Sequence, residues 1–299
     1  MVRVGVLGST GMLGSTLTRV LTQEFGDVIE ANRKGISIMG TNTAVTLDVL
    51  TSLDLHKSLK DLKLDYIINA IGKIRQVINE ANPEDVASAN LVNFEFAKKL
   101  NHFSIETGIK VIQIGTDCVY SGEEGNYSEF DEFNPIDVYG NTKNLGELAS
   151  TESMIIRCSI IGLELTSCAS LLGWVLSQPK SSMINGFTNH FWNGLTTLHF
   201  SEVVLGVIKS ESFTKGVVHL VPRDVVSKCE LIRFIAREFG REDLDIQEFE
   251  AGKAVDRSLV TMNPARNLQM WRGAGYNRVP SIQEMVSEYA NWTQGKLLR

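Results

Sequence analysis

The sequence predicts an α/β fold built on a doubly wound parallel sheet. Three features carry that expectation. Short apolar runs alternate with amphipathic helical stretches through the first 160 residues. The runs are continuously apolar, as strands buried on both faces are. A glycine-rich turn joins the first run to the first helix. Strand–helix alternation of this kind forms a parallel sheet with helices on both faces.

The elements follow in order. Val2 to Leu7 reads as the first strand, and the spacing predicts a helix over Gly11 to Phe25, stopped at Gly26. Val28 to Ala31 is a second short run, and Tyr66 to Ile71 (YIINAI) is a buried strand. Glu84 to Thr107 has helical periodicity, with Leu91, Phe94, Phe96, Ala97 and Leu100 as its apolar positions. Lys110 to Ile114 (KVIQI) is the next strand, Tyr139 to Ser150 a helix, and Met154 to Ile156 opens another strand. Beyond about residue 160 the pattern loosens. Gly173 to Thr197 is rich in Ser, Asn, Gly and Trp and reads as a binding loop. Ser201 to Ser210 and Ser227 to Phe239 read as helices with Ser201 and Ser227 as N-caps. Val217 to Val221 is strand-like, and Ser281 to Trp292 is a last amphipathic helix. The chain shows no repeat, low-complexity tract or proline-rich linker. Only six prolines are present, so its two halves are expected to interleave.

Composition removes several classes of function. Apolar residues are 43% and charged residues 21%, which excludes global disorder. Lys and Arg number 29 against 35 Asp and Glu, a formal net charge of −6. Bulk attraction to a polyanion is therefore absent, and nucleic acid is not expected as a partner. Cys118, Cys158, Cys168 and Cys229 are scattered without a CxxC pair, which suits a reducing cytoplasm and no zinc site. The opening MVRVGVLGST has the pattern of a strand and not of a signal peptide. The apolar-rich region Met154 to Leu176 is interrupted by Arg157 and Glu164 and is too polar to span a bilayer. A cytoplasmic protein with no membrane partner is the expectation.

Residues 6–14 read VLGSTGMLG. Gly8 would permit a tight turn, Gly11 the approach of a pyrophosphate, and Gly14 close packing of helix on strand. The helix start around Thr10, Met12 and Leu13 would offer N–H groups and the positive end of the helix dipole to the phosphates. An ordinary glycine turn is the alternative, but the preceding strand and following helix favour a dinucleotide and a Rossmann-type sheet. The second run ends in Asn32, Arg33 and Lys34. An NAD site usually carries an acidic residue here for the ribose hydroxyls, whereas a neutral residue and two cations suit a 2′-phosphate. NADP(H) is thus favoured over NAD(H). A solvated basic loop would read the same, and Glu30 lies close enough to compete.

Thr116 lies just past the KVIQI strand, where open α/β sheets place ligands. Tyr139 and Lys143 follow in DVYGNTKNLGE, at a spacing that puts both on one helix face. Such a pair also arises by chance, but Thr116 and the glycine turn give it company. Reduction of a carbonyl needs this set. Tyr139 would donate a proton to the oxygen as hydride reaches the carbon. Lys143 would lower a phenol pKa that is ordinarily about 10, and would hold the nicotinamide ribose. Thr116 would orient the substrate oxygen. The five histidines show no paired ligand spacing, so no metal is expected.

These residues resemble the extended short-chain dehydrogenase/reductase family, and within it the dTDP-4-dehydrorhamnose reductase group of sugar-nucleotide-binding proteins. The resemblance covers nearly the whole chain. VLGSTGMLG is similar to the group's opening turn, IGTDCVYSGEEGNYSE to its Ser/Thr segment, and VYGNTKNLGE to its YxxxK segment. GVVHLVPRDVVSKCELIRFIAREFG and RSLVTMNPARN resemble its later units more loosely. The resemblance implies a dinucleotide-binding domain over residues 1–160, to which later segments return. It implies a smaller α/β substrate lobe mainly over 161–299. The reaction implied is reduction of a 4-keto-6-deoxy sugar on a nucleoside diphosphate.

Asp48 and Val49 would flank the adenine, and Ala70, Ile71 and Gly72 would line the cofactor groove. Asn90 looks like the group's helix asparagine. Asp117, Trp192, Asn193 and Thr197 would join Thr116 in holding the nucleotide sugar. In some members acidic residues at a dimer interface hold a divalent ion, so the resemblance also admits a homodimer. Two stretches depart from the group. Ala70-Ile71-Gly72-Lys73-Ile74 stands where Ala-Ala-Tyr-Thr is usual, and WNGLTTL replaces a Gly-x-Pro-Thr pattern. Two other readings stay open: an epimerase on the same fold, and a non-catalytic subunit that only binds dinucleotide. A dehydratase usually has Asp-Glu after the catalytic Ser/Thr; here Thr116 is followed by Asp117 and Cys118.

Overall fold

The computed structural model describes residues 2–51 and 54–297. In chain order the first part holds β1 (Val4–Leu7), α1 (Met12–Phe25), β2 (Val28–Asn32), β3 (Ala44–Thr46), α2 (Leu55–Leu59) and β4 (Tyr66–Asn69). Then come α3 (Pro83–Asn90), α4 (Phe96–Thr107), β5 (Lys110–Ile114), α5 (Val138–Leu148), β6 (Met154–Arg157) and β7 (Ile160–Ile161). Next are α6 (Leu171–Ser177), β8 (Met183–Phe187), β9 (His190–Trp192), β10 (Leu195–Thr196), α7 (Thr197–Lys209) and β11 (Gly216–His219). The chain finishes with β12 (Val226–Ser227), α8 (Lys228–Glu238), β13 (Asp245–Phe249), β14 (Val255–Asp256), α9 (Pro264–Gly273) and α10 (Ile282–Leu297).

Two compact units result. One comprises Met1–Ser121, Glu132–Arg157 and Val207–Val218; the other Gly122–Asp131, Cys158–Gly206 and His219–Arg299. The first unit is organised by a seven-stranded sheet in the order β11-β6-β5-β4-β1-β2-β3. The strands from β1 to β6 all pair in parallel. Every residue of β1, β2, β4 and β6 is buried, which is why these strands are largely apolar, with Glu30, Asn32, Asn69 and Arg157 as the buried exceptions. Leu7, Ile29, Ile67 and Val111 meet Phe96, Leu100 and Phe103 in one core cluster. β1 has β2 on one side and β4 on the other, so strand order reverses there. The carboxyl ends of strands at such a reversal form a crevice for ligands. The second unit is made of small sheets: β10 on β7, β9 between β12 and β14, and β13 on β8.

Three expectations give way. Gly173 to Thr197 is not a loop but α6, β8, β9 and β10. β8 is held by parallel pairing with β13, from Met183 opposite Asp245 to Phe187 opposite Phe249, a partner that local pattern cannot reveal. α7 starts at Thr197, so Ser201 lies inside it and donates its hydroxyl to the Thr197 carbonyl at 2.7 Å instead of capping. The helix expected over Glu84 to Thr107 is divided by a π-helical turn at Leu91–Glu95. Ser227 does cap α8, with Glu230 completing a reciprocal capping box.

Two substitutions test this frame. A Cβ on Gly14 would lie 2.0 Å from the Gly8 carbonyl oxygen, a backbone atom that cannot rotate away. Gly14→Ala is expected to cost about 3 kcal/mol and to weaken dinucleotide binding, read by thermal melting and fluorescence titration. Ser227→Ala should cost about 1 kcal/mol, read as a lower urea midpoint.

Candidate active site

The glycine turn is built at the reversal point. Gly8 has φ +83°, a conformation that side chains rarely adopt. Its N–H donates to Ala31 O at 2.7 Å, and Gly11 N–H returns to Gly8 O at 2.9 Å. A Cβ on Gly8 would sit 3.0 Å from the Ala70 carbonyl and 3.1 Å from Ile71 Cγ1. The turn and the segment after β4 are therefore in contact. Gly11 begins α1 with no side-chain cap, and the first turn carries no acidic residue. The first-turn N–H groups and the dipole end suit an anion. Thr10 and Met12 are half-buried, Leu13 buried and Gly72 exposed.

At the end of β2, Asn32 is buried and turned inward. Its Nδ2 donates to Ser9 Oγ at 2.9 Å and to Ile36 O at 2.8 Å, while Oδ1 accepts from the N–H groups of Lys34 and Ile36 at 3.2 Å. The side chain shapes the turn that presents Arg33 and Lys34, both exposed. Glu30 is wholly buried. One carboxylate oxygen accepts from Ile38 N–H at 2.8 Å and the other from the Ser37 hydroxyl. Its carboxylate folds the following loop. Asp48 Oδ1 accepts from Leu50 N–H at 3.0 Å, and Val49 beside it is buried.

The segment after β5 and the helix α5 bring the predicted catalytic residues together. Asp137 caps α5 by accepting from Gly140 N–H at 2.7 Å. Arg75 reaches the same carboxylate at 3.3 Å, and Glu80 accepts from Val138 N–H at 2.9 Å. Thr116 Oγ1 accepts from Cys118 N–H at 3.2 Å and donates to Asp117 Oδ1 at 3.3 Å. A Cβ on Gly140, next to Tyr139, would lie 2.2 Å from the Cys118 carbonyl, so the start of α5 packs directly on the segment that holds Thr116. Lys143 is buried and donates to Ile114 O at 2.6 Å.

The Tyr139 phenol is pushed well above its ordinary range. Loss of water around it is the largest cause, the Cys118 thiol, Asp117 and Glu147 add to it, and the Thr116 hydrogen bond opposes it. Burial and the neighbouring acidic groups set this direction. The phenol is held as a proton donor.

One positioning residue escaped the sequence reading. Asn93, in the π turn, is buried, while Asn90 closes α3 half-buried. Its Oδ1 accepts from Lys73 N–H at 2.8 Å, and its Nδ2 donates to Lys73 O and Thr142 Oγ1, each at 3.0 Å. It ties the loop after β4 to α5. A π turn shifts the helical register, so periodicity counted from Glu84 misplaces the inward face. The Lys73 ammonium is engaged by Asp85 at 2.6 Å and Ser88 at 2.5 Å.

Trp192, Asn193 and Thr197 belong to the second unit and are nearly or wholly buried in it. Trp192 Nε1 donates to Ser159 Oγ at 2.9 Å, and the Lys228 ammonium lies 5.4 Å from its ring. Asn193 Nδ2 donates to Leu259 O at 2.6 Å, and its Oδ1 accepts from Leu259 N–H at 2.9 Å. Thr197 opens α7, and a Cβ on Gly162 would lie 2.5 Å from its methyl group. In the acidic stretch, Glu129 is drawn inward by Thr261 at 2.6 Å and Met262 N–H at 2.9 Å. His199 is wholly buried between Thr196 Oγ1 at 2.6 Å and Glu288 at 3.0 Å. Among the described residues, no group of three His, Cys, Asp or Glu side chains is arranged to hold a metal ion. No described helix is long and apolar enough to cross a membrane.

The chain is 29% identical over 169 residues to a dTDP-4-dehydrorhamnose reductase of Aggregatibacter actinomycetemcomitans, covering 53% of this chain and 51% of that one. It is 25% identical over 151 residues to methionine adenosyltransferase 2 subunit beta of Bos taurus, covering 50% and 43%. The chain thus spans about half the length of these curated relatives. The crystal structure of dTDP-4-dehydrorhamnose reductase from Bacillus anthracis str. Ames in complex with NADP shares the fold, with a TM-score of 0.76 at 19% identity over 98% of this chain and 100% of that one. The RmlD substrate binding domain family matches residues 2–291, and the chain belongs to that family.

Proposed function

We propose that this protein is an NADPH-dependent reductase of a nucleoside-diphosphate 4-keto-6-deoxy sugar. The observation that carries the reading is the packing of α5, with Tyr139 and Lys143, against the segment that leaves β5 with Thr116: Lys143 donates to Ile114 O at 2.6 Å, and a Cβ on Gly140 would lie 2.2 Å from the Cys118 carbonyl. The relative named dTDP-4-dehydrorhamnose reductase supports the substrate class. The uncapped start of α1 and the contact of Gly8 with Ala70 and Ile71 suit a pyrophosphate. Exposed Arg33 and Lys34, with Glu30 engaged elsewhere, suit a 2′-phosphate and favour NADPH over NADH.

When bound, NADPH supplies the hydride that reduces the sugar carbonyl. Thr116 orients the carbonyl oxygen. Tyr139, kept protonated by burial, gives its proton to that oxygen. Lys143, anchored on the Ile114 carbonyl, stabilises the phenolate left behind and reaches the nicotinamide ribose. The first unit would carry the dinucleotide and the second the nucleotide sugar, with Trp192, Asn193 and Thr197 shaping the second unit's part. A second reading, a non-catalytic subunit that binds dinucleotide, draws on the likeness to a methionine adenosyltransferase subunit. Retention of Thr116, Tyr139 and Lys143 together favours the reductase.

Purified protein with NADPH or NADH and a panel of nucleoside-diphosphate 4-keto-6-deoxy sugars should show loss of reduced nicotinamide absorbance. Tyr139→Phe is expected to lower kcat by about 10²- to 10⁴-fold with NADPH affinity retained. NADPH binding without turnover on any sugar would favour the subunit reading. Arg33→Gln should weaken NADPH by about tenfold and leave NADH unchanged, measured by fluorescence titration. Equal weakening of both would refute the 2′-phosphate assignment.

A further inference from the structure

We propose that Glu147 is the positioning residue of this site: its buried carboxylate, held by Arg157, fixes the backbone of Thr116 against the helix that carries Tyr139 and Lys143. The inference rests on the reductase reading and adds to it a residue that touches neither substrate nor cofactor.

Tyr139, Lys143 and Glu147 follow one another at four-residue steps on α5 and form one stripe. Two members of the stripe grip the segment that leaves β5. Lys143 donates to Ile114 O at 2.6 Å, and Glu147 Oε1 accepts from Thr116 N–H at 3.2 Å. Gly115 lies between these grips and donates to Ile156 O at 2.8 Å. A Cβ there would meet Glu147 Oε1 and Arg157 Cα, each at 2.9 Å, so the segment has no room to shift toward α5.

The other carboxylate oxygen is fixed from behind. Arg157 donates to Glu147 Oε2 through Nη2 at 2.6 Å and Nε at 3.1 Å. Its Nη1 donates to the Tyr120 hydroxyl at 2.8 Å. The guanidinium lies over the Tyr120 and Phe133 rings, at 5.4 and 4.9 Å. The Arg157 side chain is 0% exposed and that of Glu147 2%. A buried ion pair is a weak device for stability alone, since an apolar pair of similar volume often serves as well. Here one carboxylate oxygen faces Arg157 and the other the Thr116 N–H. An apolar pair would lose that second bond. The Glu147 charge also helps hold the Tyr139 phenol protonated.

Two variants separate positioning from stability. In Glu147→Gln the amide oxygen will turn to Arg157, leaving an NH2 group facing the Thr116 N–H. In Glu147→Leu/Arg157→Met the buried charges go together, and the unit keeps its fold without the carboxylate. In the NADPH-loaded enzyme both variants are expected to lose kcat by about ten- to a hundredfold. The sugar KM and the NADPH Kd should stay within about twofold of wild type, as an unperturbed ground-state site requires. In Glu147→Gln the alkaline limb of kcat should begin at lower pH, because the phenol ionises more easily beside a neutral amide.

Amide exchange in the uncomplexed protein needs no turnover. The Thr116 N–H should exchange about tenfold faster or more in both variants, as loss of a buried hydrogen-bond acceptor predicts. A double variant with wild-type kcat and unchanged Thr116 exchange would overturn the proposal. If wild-type protein reduces no sugar, the reductase reading falls, while Thr116 exchange still decides whether Glu147 holds that backbone. If Glu147→Gln does not fold, the double variant carries the test.

Discussion

Close approach of backbones around α5 is the constraint on which the candidate site depends. A Cβ on Gly140 would lie 2.2 Å from the Cys118 carbonyl, and one on Gly146 2.2 Å from the Asn93 carbonyl. Bare backbone at these positions lets the helix settle against the segment after β5 on one side and the π turn on the other. Only at that distance can the Lys143 ammonium meet the Ile114 carbonyl and Tyr139 stand beside the segment that carries Thr116. The same logic operates at the glycine turn, where Gly14 docks α1 on Gly8. Both halves of the site are set by main chain, and side chains then refine it.

The polar side chains around the site mostly bind the protein itself. Asn32 and Glu30 fold the turn after β2, and Asn93 clamps the loop after β4. Asp137 caps α5 while holding Arg75. Each is a buried or half-buried group whose hydrogen bonds are supplied by nearby backbone and side chains, as burial requires. The result is a crevice whose walls are held rigid before any ligand arrives, which favours orientation of reacting groups. Exposed Arg33 and Lys34 stand apart from this pattern and present charge outward.

Electrostatics at Tyr139 are decided by burial more than by pairing. The Lys143 ammonium sits on the same helix stripe, yet removal of water and three nearby acidic groups raise the phenol. A phenol kept neutral is suited to giving a proton, and the adjacent ammonium is suited to receiving the charge that remains. The two effects act at different moments of a proton transfer and do not conflict.

Local information was enough for the parallel strands, the glycine turn and the Tyr139–Lys143 spacing. Each is written in residues close in sequence, where periodicity, turn chemistry and helical geometry operate directly. Ser227 and its Glu230 partner were legible for the same reason. Tertiary structure decided what depends on distant partners. β8 exists because β13 lies beside it, and Asn93 turns inward because one π turn rotates the helix. Glu30 could be assigned to the loop or to a ribose only once its two oxygens had partners. Glu147 and Arg157 carry no local signal of a role at the site. Their role follows from a contact with Thr116, thirty-one positions away from Glu147. A hydrophobic pattern states which face a residue occupies, and only the folded chain states what that face meets.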